Sequence, residues 1–275
     1  MLYLIGLGLG DHTDITVKGL TIIKQAKRVY LESYTSIYCD DSIDELEKFY
    51  ERPVIAADRE FVEQNSDQIL ANADIDDIAF LVVGDPLGAT THTDLILRAR
   101  DKGIEHRIIH NASIINACGC CGLQLYNFGE VISIPLWTDQ WRPTSFLDKI
   151  EANINHGLHT LCLLDIKVKE QSIEAMMRGR QEYLPPTFMT VNVAARQLLE
   201  SIEEKSKQQT TKLTADTICV ALARIGSDKQ KIIKGTLQQM IDVDMGPPLH
   251  SLIIVGRPLH HIENEMLTLY TMKQQ

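Results

Sequence analysis

The stretch Gly84-Asp85-Pro86-Leu87-Gly88-Ala89-Thr90-Thr91-His92 follows a short apolar run, Ile78–Val83. Turn residues bound this run, which predicts a buried strand of a parallel sheet. The next residues, Thr93–Arg100, have the apolar spacing of an amphipathic helix, with Thr91 or Thr93 as the expected cap. A glycine-rich loop therefore joins the carboxyl end of a strand to a helix, where ligands bind in open α/β sheets. A plain strand-to-helix turn is the alternative that this stretch alone leaves open.

A second glycine-rich loop occurs at the start of the chain. Leu2–Ile5 has the composition of a buried strand and runs directly into Gly6-Leu7-Gly8-Leu9-Gly10-Asp11. Strand-like and helix-like segments alternate from there to residue 112, which is typical of a parallel α/β sheet. The second half mixes strands and helices with longer gaps. We therefore predict an α/β fold with an N-terminal α/β domain over residues 1–112 and a C-terminal α/β domain over residues 113–275.

Composition and charge are those of an ordinary globular chain. The 275 residues are 44% hydrophobic and 23% charged, and no apolar run approaches the roughly 20 residues of a membrane-spanning helix. The net charge of -10, without a long run of one sign, argues against a nonspecific nucleic-acid binder. The first residues lack the basic and apolar pattern of a signal peptide. We expect a cytoplasmic protein that binds neither membranes nor nucleic acid.

Both loops carry carboxylates where a phosphate-binding loop would not. Gly6-x-Gly8-x-Gly10 is close to a dinucleotide fingerprint, and Glu32 follows at the distance of a ribose-binding acid, but the glycine spacing differs from G-x-G-x-x-G. Asp11 and Asp85 lie within the loops and would repel a pyrophosphate, which disfavours an NAD-dependent enzyme. S-adenosylmethionine has a sulfonium, an ammonium and hydroxyls but no phosphate, and it fits such loops better. The alternative is that both aspartates only cap neighbouring helices.

Stretches distributed over nearly the whole chain match one enzyme family in order and spacing. They are Met1–Asp11, Asp14–Gly19, Val29–Ser36, Val83–His92, His110–Ile114, Gly119–Leu125, Thr160–Ser172 and Pro248–Ile254. These stretches resemble the diphthine synthases, and most closely the eukaryotic type of that family. The resemblance implies the tetrapyrrole-methylase fold, which has two α/β domains with S-adenosylmethionine bound in the cleft between them.

The resemblance also implies a reaction. Eukaryotic-type diphthine synthases methylate a modified histidine of translation elongation factor 2, an intermediate of diphthamide biosynthesis, with S-adenosylmethionine as the donor. They add four methyl groups, three to an amino nitrogen and one to a carboxylate, and family members are homodimers. Archaeal-type trimethylation to diphthine and methylation of a tetrapyrrole are the alternatives. A binding module without turnover is a further class, which a methyl-transfer assay distinguishes.

The residues that contact S-adenosylmethionine are implied by the same resemblance. By motif matching they are Leu9, Asp85, Gly88, Ser113, Ile114, Leu164, Ile225 and His250. Relatives that act on tetrapyrroles carry proline where this chain has Leu9, which weakens the case for a tetrapyrrole substrate. For His250, a structural role at the start of a strand is equally open. No residue declares itself as the catalytic base, and His110, Asp165 and a water molecule are the alternatives.

Three of the six cysteines are clustered in Cys118-Gly119-Cys120-Cys121. A zinc or iron–sulfur site is one interpretation, but no second cysteine pair or spaced Cys/His set completes four ligands. The surrounding residues, Ile114–Leu125, have a helical pattern. Small buried thiols on a packed helix are therefore the interpretation that we favour.

We predict that this cysteine cluster holds no metal, because its spacing does not complete a tetrahedral ligand set. An S-adenosylmethionine-dependent reaction does not need one either, since a sulfonium is already an activated methyl donor. Elemental analysis of protein purified without added metal should find no stoichiometric zinc or iron. A stoichiometric amount of either metal would contradict the prediction.

Overall fold

The structure of the protein, a computed structural model, describes residues 1–38, 42–168, 183–207 and 210–272. The strands within these ranges are β1 Leu2–Gly6, β2 Arg28–Glu32, β3 Ile55–Ala57, β4 Ile78–Val82, β5 His106–Ile109, β6 Ile132–Ile134, β7 Thr160–Leu164, β8 Ile166–Lys167, β9 Thr187–Phe188, β10 Ile218–Ala223, β11 Lys231–Thr236 and β12 His250–Ile254. The α-helices are α1 Val17–Gln25, α2 Ile43–Tyr50, α3 Arg59–Gln64, α4 Ser66–Leu70, α5 Thr93–Asp101, α6 Ile114–Ala117, α7 Ser145–Asn155, α8 Val191–Ser206 and α9 His261–Thr268. None of these helices is long and apolar enough to cross a membrane.

The chain forms two compact units. The first contains Met1–Ile114, the described residues of Ile166–Thr187, and Gly226–Asp228. The second contains Ile115–Asp165, the described residues of Phe188–Ile225, and those from Lys229 onwards. A compact unit does not have to fold independently, as a domain does. The predicted domains, 1–112 and 113–275, therefore stay predictions.

The first unit is built on a parallel sheet with the strand order β3-β2-β4-β1-β5. Side chains of its central strands alternate between two hydrophobic clusters, with Leu4 and Phe80 in one and Ile5 and Leu81 in the other. All four are fully buried. A parallel sheet needs apolar residues on both faces because its connecting helices cover both. The parallel α/β sheet predicted for this half is therefore confirmed.

The second unit is built on a mixed sheet with the strand order β11-β10-β12-β7-β6. Strand β12 pairs antiparallel with β10 and β7, and β11 pairs antiparallel with β10, while β6 and β7 run parallel. One face carries Ile134, Cys162, Ala221 and Leu252, which pack with buried residues of α7 and α8. The α/β class holds for this half as well, with strand directions that the sequence did not indicate.

Helix α5 begins differently from the sequence-based expectation. Its N-cap is His92 rather than Thr91 or Thr93, and the cap side chain accepts no hydrogen bond from the first turn. The α1 helix follows the usual rule, since Thr16 Oγ1 accepts from Gly19 N at 3.0 Å. The His92 imidazole is used elsewhere in the loop after β4, as described below.

The cysteine segment is not the continuous helix that its pattern indicated. Helix α6 ends at Ala117, and Cys118–Cys121 forms a single 3-10 turn. Gly122 follows with a φ of 94°, and a Cβ atom placed there would lie 2.4 Å from Met266 Cβ of α9. The close approach of α9 requires glycine at this position, and the left-handed backbone ends the helical pattern. The packed-helix expectation is therefore wrong beyond Ala117.

A buried histidine connects α9 with the second sheet. His159 Nε2 lies 3.2 Å from Glu263 Oε1, and Gly256 N donates to His159 Nδ1 at 3.0 Å. Because Nδ1 accepts, the imidazole is neutral and its Nε2–H donates to the carboxylate. Burial lowers the pKa of His159, and the hydrogen bond to Glu263 only partly opposes this effect.

Three buried imidazoles predict a loss of stability in mild acid. Burial lowers the pKa of His92, His159 and His250. In the unfolded chain each titrates near its usual value of about 6.5, so below that pH the unfolded chain binds protons that the folded chain does not. The free energy of unfolding should then fall, by at most about 1.4 kcal/mol per pH unit for each imidazole, until the lowered folded-state pKa is reached. Urea unfolding at roughly pH 7.5 and roughly pH 5.5 measures the difference.

The contribution of a single imidazole can be separated with one variant and one control. His159→Gln should flatten the pH dependence, because it removes one of the three groups. His156→Gln is the matched control, since this nearby imidazole is exposed and, among the described residues, hydrogen-bonds only to Ala152 O. Equal slopes for the wild type and His159→Gln would contradict the assignment.

Candidate functional site

The glycine-rich loops after β1 and β4 meet at the carboxyl edge of the first sheet. Gly84 N donates to Gly8 O at 2.7 Å, and Gly8 N donates to Gly84 O at 3.3 Å. The φ angles are 81° at Gly8 and 83° at Gly84. Glycine adopts this left-handed region at little cost, whereas other residues are strained in it. The two loops that the sequence singled out are therefore hydrogen-bonded to each other.

Asn111 joins both loops to the end of β5. Its Nδ2 donates to Gly6 O at 3.1 Å and to Asp14 O at 3.0 Å, and its backbone N donates to Asp85 Oδ2 at 3.1 Å. A Cβ atom on Gly6 would lie 2.8 Å from Asn111 Cβ, so the asparagine packs directly on bare backbone. Sequence analysis did not single out Asn111. Its position just after a strand, two residues before Ser113, was the available signal.

The Asp85 carboxylate orders the loop after β4. Its Oδ1 accepts from Leu87 N at 2.9 Å. Its Oδ2 accepts from Asn111 N and also from His110 Nδ1, the latter at 2.8 Å. The side chain is only 14% exposed. Asp85 therefore braces its own loop and does not cap α5, and its remaining lone pairs can accept from a hydroxyl or an ammonium of a ligand.

Gly88 and Ser113 pack against each other beside Asp85. A Cβ atom on Gly88 would lie 2.9 Å from Ser113 Cβ, 3.0 Å from Ser113 Oγ and 3.4 Å from Asp85 Cβ. Ser113 is buried, and Ile114 directly after it begins α6. The structure thus brings four of the predicted cofactor contacts to one place in the first unit. They are Asp85, Gly88, Ser113 and Ile114.

A carboxylate already occupies the backbone donors of the loop after β1. Asp14 Oδ2 accepts from Gly10 N at 2.7 Å and from Leu9 N at 3.3 Å. Phosphate-binding loops use such N–H groups to hold an anion. Asp11, which the sequence analysis held responsible for excluding phosphate, caps the next turn through hydrogen bonds from the Thr13 hydroxyl and backbone, which lower its pKa. The carboxylate that occupies the backbone donors of this loop is therefore that of Asp14 and not that of Asp11.

His92 closes the other end of the loop after β4. Its Nδ1–H donates to Pro86 O at 3.0 Å, and Thr90 Oγ1 donates to the same oxygen at 2.6 Å. The imidazole is 1% exposed and meets Phe80 of β4 edge-on, with ring centroids 5.2 Å apart. Burial lowers the pKa of His92. A neutral, buried imidazole thus fixes the shape of the loop before α5 begins.

Three further predicted contacts lie together in the second unit. Leu164 ends β7, His250 begins β12, and Ile225 follows the end of β10. Strand β12 is antiparallel to both neighbours, with Ala223 opposite His250, so these positions share one edge of the sheet. Leu164 and Ile225 are buried apolar side chains at that edge.

Both ring nitrogens of His250 are engaged within the fold. Its Nε2–H donates to Gly246 O and to Pro247 O, each at 3.0 Å, and Nδ1 accepts from Val191 N at 3.4 Å. Burial lowers the pKa of this imidazole. These bonds explain why a histidine begins β12, and its contact with a cofactor stays a prediction.

The cysteine cluster consists of two buried thiols and one exposed thiol. Burial raises the pKa of Cys118 to about 12 and that of Cys121 to about 11, while Cys120 is exposed. Thiolates rather than thiols bind metals, so these surroundings disfavour ligation. Within the ranges that the structure describes, no three His, Cys, Asp or Glu side chains are grouped as metal ligands.

Comparison with known proteins decides the family. Residues 1–241 match the family model of the tetrapyrrole (corrin/porphyrin) methylases. The chain belongs to the tetrapyrrole methylase family. It is an S-adenosylmethionine-dependent methyltransferase, and the enzyme class and the fold family that the sequence predicted are confirmed.

Members of this family that are similar to the chain include two mammalian enzymes. The chain is 60% identical to the diphthine methyl ester synthase of Bos taurus and 59% identical to that of Homo sapiens, in each case covering 100% of this chain and 96% of the relative. Among solved structures, a putative diphthine synthase from Entamoeba histolytica is 42% identical with a TM-score of 0.87, covering 100% of this chain and 99% of that one. The resemblance to eukaryotic-type diphthine synthases is thereby confirmed.

Gly88→Val is predicted to abolish S-adenosylmethionine binding while the fold survives. The branched side chain would collide with Ser113, because even a Cβ atom lies 2.9 Å from Ser113 Cβ, and it would restrict the loop backbone. Calorimetry measures the binding, and circular dichroism checks the fold. Leu87→Val is the matched control, since this neighbouring side chain is 40% exposed. A folded Gly88→Val protein that binds normally would make Gly88 a turn residue only.

Proposed function

We propose that this methyltransferase transfers methyl groups from S-adenosylmethionine to the modified histidine of translation elongation factor 2 during diphthamide biosynthesis. The product would be diphthine methyl ester, which requires four methyl groups. The observation that carries the proposal is full-length identity of 58–60% to mammalian proteins named diphthine methyl ester synthase. The similarity extends over all 275 residues of the chain.

The loop after β1 supports a protein acceptor over a tetrapyrrole. By the family resemblance, Leu9 occupies the position at which relatives acting on tetrapyrroles usually carry proline. Its backbone N lies 3.3 Å from Asp14 Oδ2, a contact that proline could not make because it has no N–H. Archaeal-type trimethylation to diphthine, which differs only in the last methyl group, is not favoured by the mammalian relatives.

The chemistry of the proposed contacts, taken unit by unit, supports S-adenosylmethionine as the donor. Asp85 can accept from the ribose hydroxyls or the ammonium, and Gly88 and Ser113 pack beside it. Leu164 and Ile225 offer apolar surface to an adenine ring. The loop after β1 holds its own carboxylate and favours a ligand without phosphate. The full set of contacts that we propose is Leu9, Asp85, Gly88, Ser113, Ile114, Leu164, Ile225 and His250.

Orientation is the main contribution that these residues need to make. S-adenosylmethionine supplies a methyl group on a positively charged sulfur, which is a good leaving group. The loops braced by Asp85, Asn111 and His92 hold the site rigid, and fixed alignment of reacting atoms supplies about 7–11 kcal/mol of barrier lowering in well-oriented reactions. A metal is not part of the proposal.

The cellular setting belongs to the same proposal. We place the enzyme in the cytoplasm, as a homodimer, with elongation factor 2 as its protein partner and with neither membrane nor nucleic-acid binding. The net charge of -10 supports the absence of nucleic-acid binding. Sedimentation measurements test the dimer independently of activity.

Intact-mass spectrometry of elongation factor 2 tests the reaction directly. The protein carrying the unmethylated precursor should gain methyl groups one at a time and stop at four. Elongation factor 2 that lacks the modified histidine is the control and should gain none. Stopping at three would indicate the archaeal-type product. No gain on the precursor, together with methylation of a free tetrapyrrole, would contradict the proposal.

A further inference from the structure

The proposed nitrogen methylations require proton removal from the acceptor, which S-adenosylmethionine does not provide. An amino group at neutral pH is an ammonium, which has no lone pair to attack a methyl carbon. Each of the three nitrogen methylations therefore needs the loss of one proton from nitrogen. The carboxylate methylation needs none, because a carboxylate is already the nucleophile. An enzyme that performs both kinds of transfer therefore needs a base for the nitrogen methylations and not for the carboxylate methylation.

Most imidazoles that the structure places in the interior are unsuited to this task. His159 and His250 have both ring nitrogens bonded within the fold, and His92 is 1% exposed. Asp165, the carboxylate considered from the sequence, accepts from Leu136 N at 2.9 Å and braces the turn after β7. A base must reach the acceptor nitrogen directly or through one water molecule.

His110 has the geometry that the task requires. It lies at the end of β5, its Nδ1 is 2.8 Å from Asp85 Oδ2, and its side chain is 67% exposed. Asp85 is held in turn by Leu87 N and Asn111 N, so the carboxylate cannot turn away from the ring. A carboxylate that accepts from Nδ1–H fixes the tautomer in which Nε2 carries the lone pair. Among the described residues, the His110 ring makes no other hydrogen bond.

The position of His110 connects the base with the proposed donor site. The residue is bonded to Asp85, and Asp85 packs beside Gly88 and Ser113, which are proposed contacts of the donor. Asn111, the next residue, ties this segment to the loop after β1. The exposed nitrogen is thus carried on a rigid frame at the edge where the donor is expected to bind.

We propose that His110 is the general base for the three nitrogen methylations and has no such role in the carboxylate methylation. The inference rests on the proposed function. Nε2 takes a proton from the acceptor ammonium, which leaves a neutral amine. The amine lone pair then forms a bond to the methyl carbon while the carbon–sulfur bond breaks and its electron pair stays on sulfur. The charge moves from sulfur to nitrogen, and the proton leaves His110 to solvent before the next cycle.

Two acceptors separate the two kinds of transfer. The first is elongation factor 2 carrying the unmethylated precursor. The second is the tetramethylated product of the wild-type enzyme after mild alkaline hydrolysis, which removes the methyl ester and restores a trimethylated acceptor with a free carboxylate. His110→Ala and His110→Gln are compared with the wild type on both. His106→Ala is the matched control, because this exposed imidazole lies at the opposite end of the same strand.

The expected result is a selective loss. Nitrogen methylation by the His110 variants should slow by about 100-fold, within the range of general-base contributions, while carboxylate methylation stays within about two-fold of the wild type. Added imidazole should restore part of the nitrogen methylation by His110→Ala. Calorimetry should find S-adenosylmethionine binding unchanged in both variants. His106→Ala should behave as the wild type in every assay.

The other outcomes distinguish a wrong role for His110 from a wrong proposed function. Equal nitrogen methylation by the wild type and the His110 variants would overturn the inference and leave the proposed function intact. Parallel loss of both transfers, or weaker S-adenosylmethionine binding, would give His110 a structural role and also overturn it. A wild-type enzyme that does not methylate the unmethylated precursor would instead contradict the proposed function.

Discussion

The hydrogen bonds of Asn111 are the contacts on which the arrangement of the two glycine-rich loops depends. The side chain reaches two carbonyls at the loop after β1, and its backbone N–H reaches the carboxylate of the loop after β4. Three segments far apart in sequence are thereby held at one sheet edge. A typical hydrogen bond contributes about 1 kcal/mol net, whereas leaving a buried partner unpaired costs about 1–3 kcal/mol. A small number of hydrogen bonds from one residue therefore sets the positions of both loops.

The sequence predicted the first sheet better than its loops. Strand β4 is apolar throughout because both of its faces are covered, and a single sequence retains that signal. The bond from Asn111 to Gly6 spans 105 residues, and no local periodicity reports a contact of that separation. The sequence also does not show which backbone groups an aspartate side chain bonds. Asp11 and Asp14 are neighbouring acids, and only the structure distinguishes the turn cap from the anion in the loop.

In the second unit the strands were predictable but their directions were not. Strand direction follows from long connections, whose paths a sequence does not display. Leu164 ends one strand and His250 begins its antiparallel neighbour, so a rule that collects the carboxyl ends of parallel strands would not join them. The family resemblance did join them. The prediction of a continuous helix through the cysteines was wrong, since α6 ends at Ala117 and a 3-10 turn follows, which Gly122 ends with a φ of 94° against Met266.

The carboxylate of Asp14 bears on competition between ligands in the cell. ATP and S-adenosylmethionine share an adenosine, and ATP is the more abundant compound. A pocket that recognised adenosine alone would be filled by the nucleotide. A fixed negative charge bonded to Gly10 N repels a nearby phosphate by about 4 kcal/mol per pair of unit charges at ~4 Å near a protein surface, and it attracts a sulfonium or an ammonium. At the proposed donor site, such a charge would select against the commonest adenosine compound without any contact to the adenine.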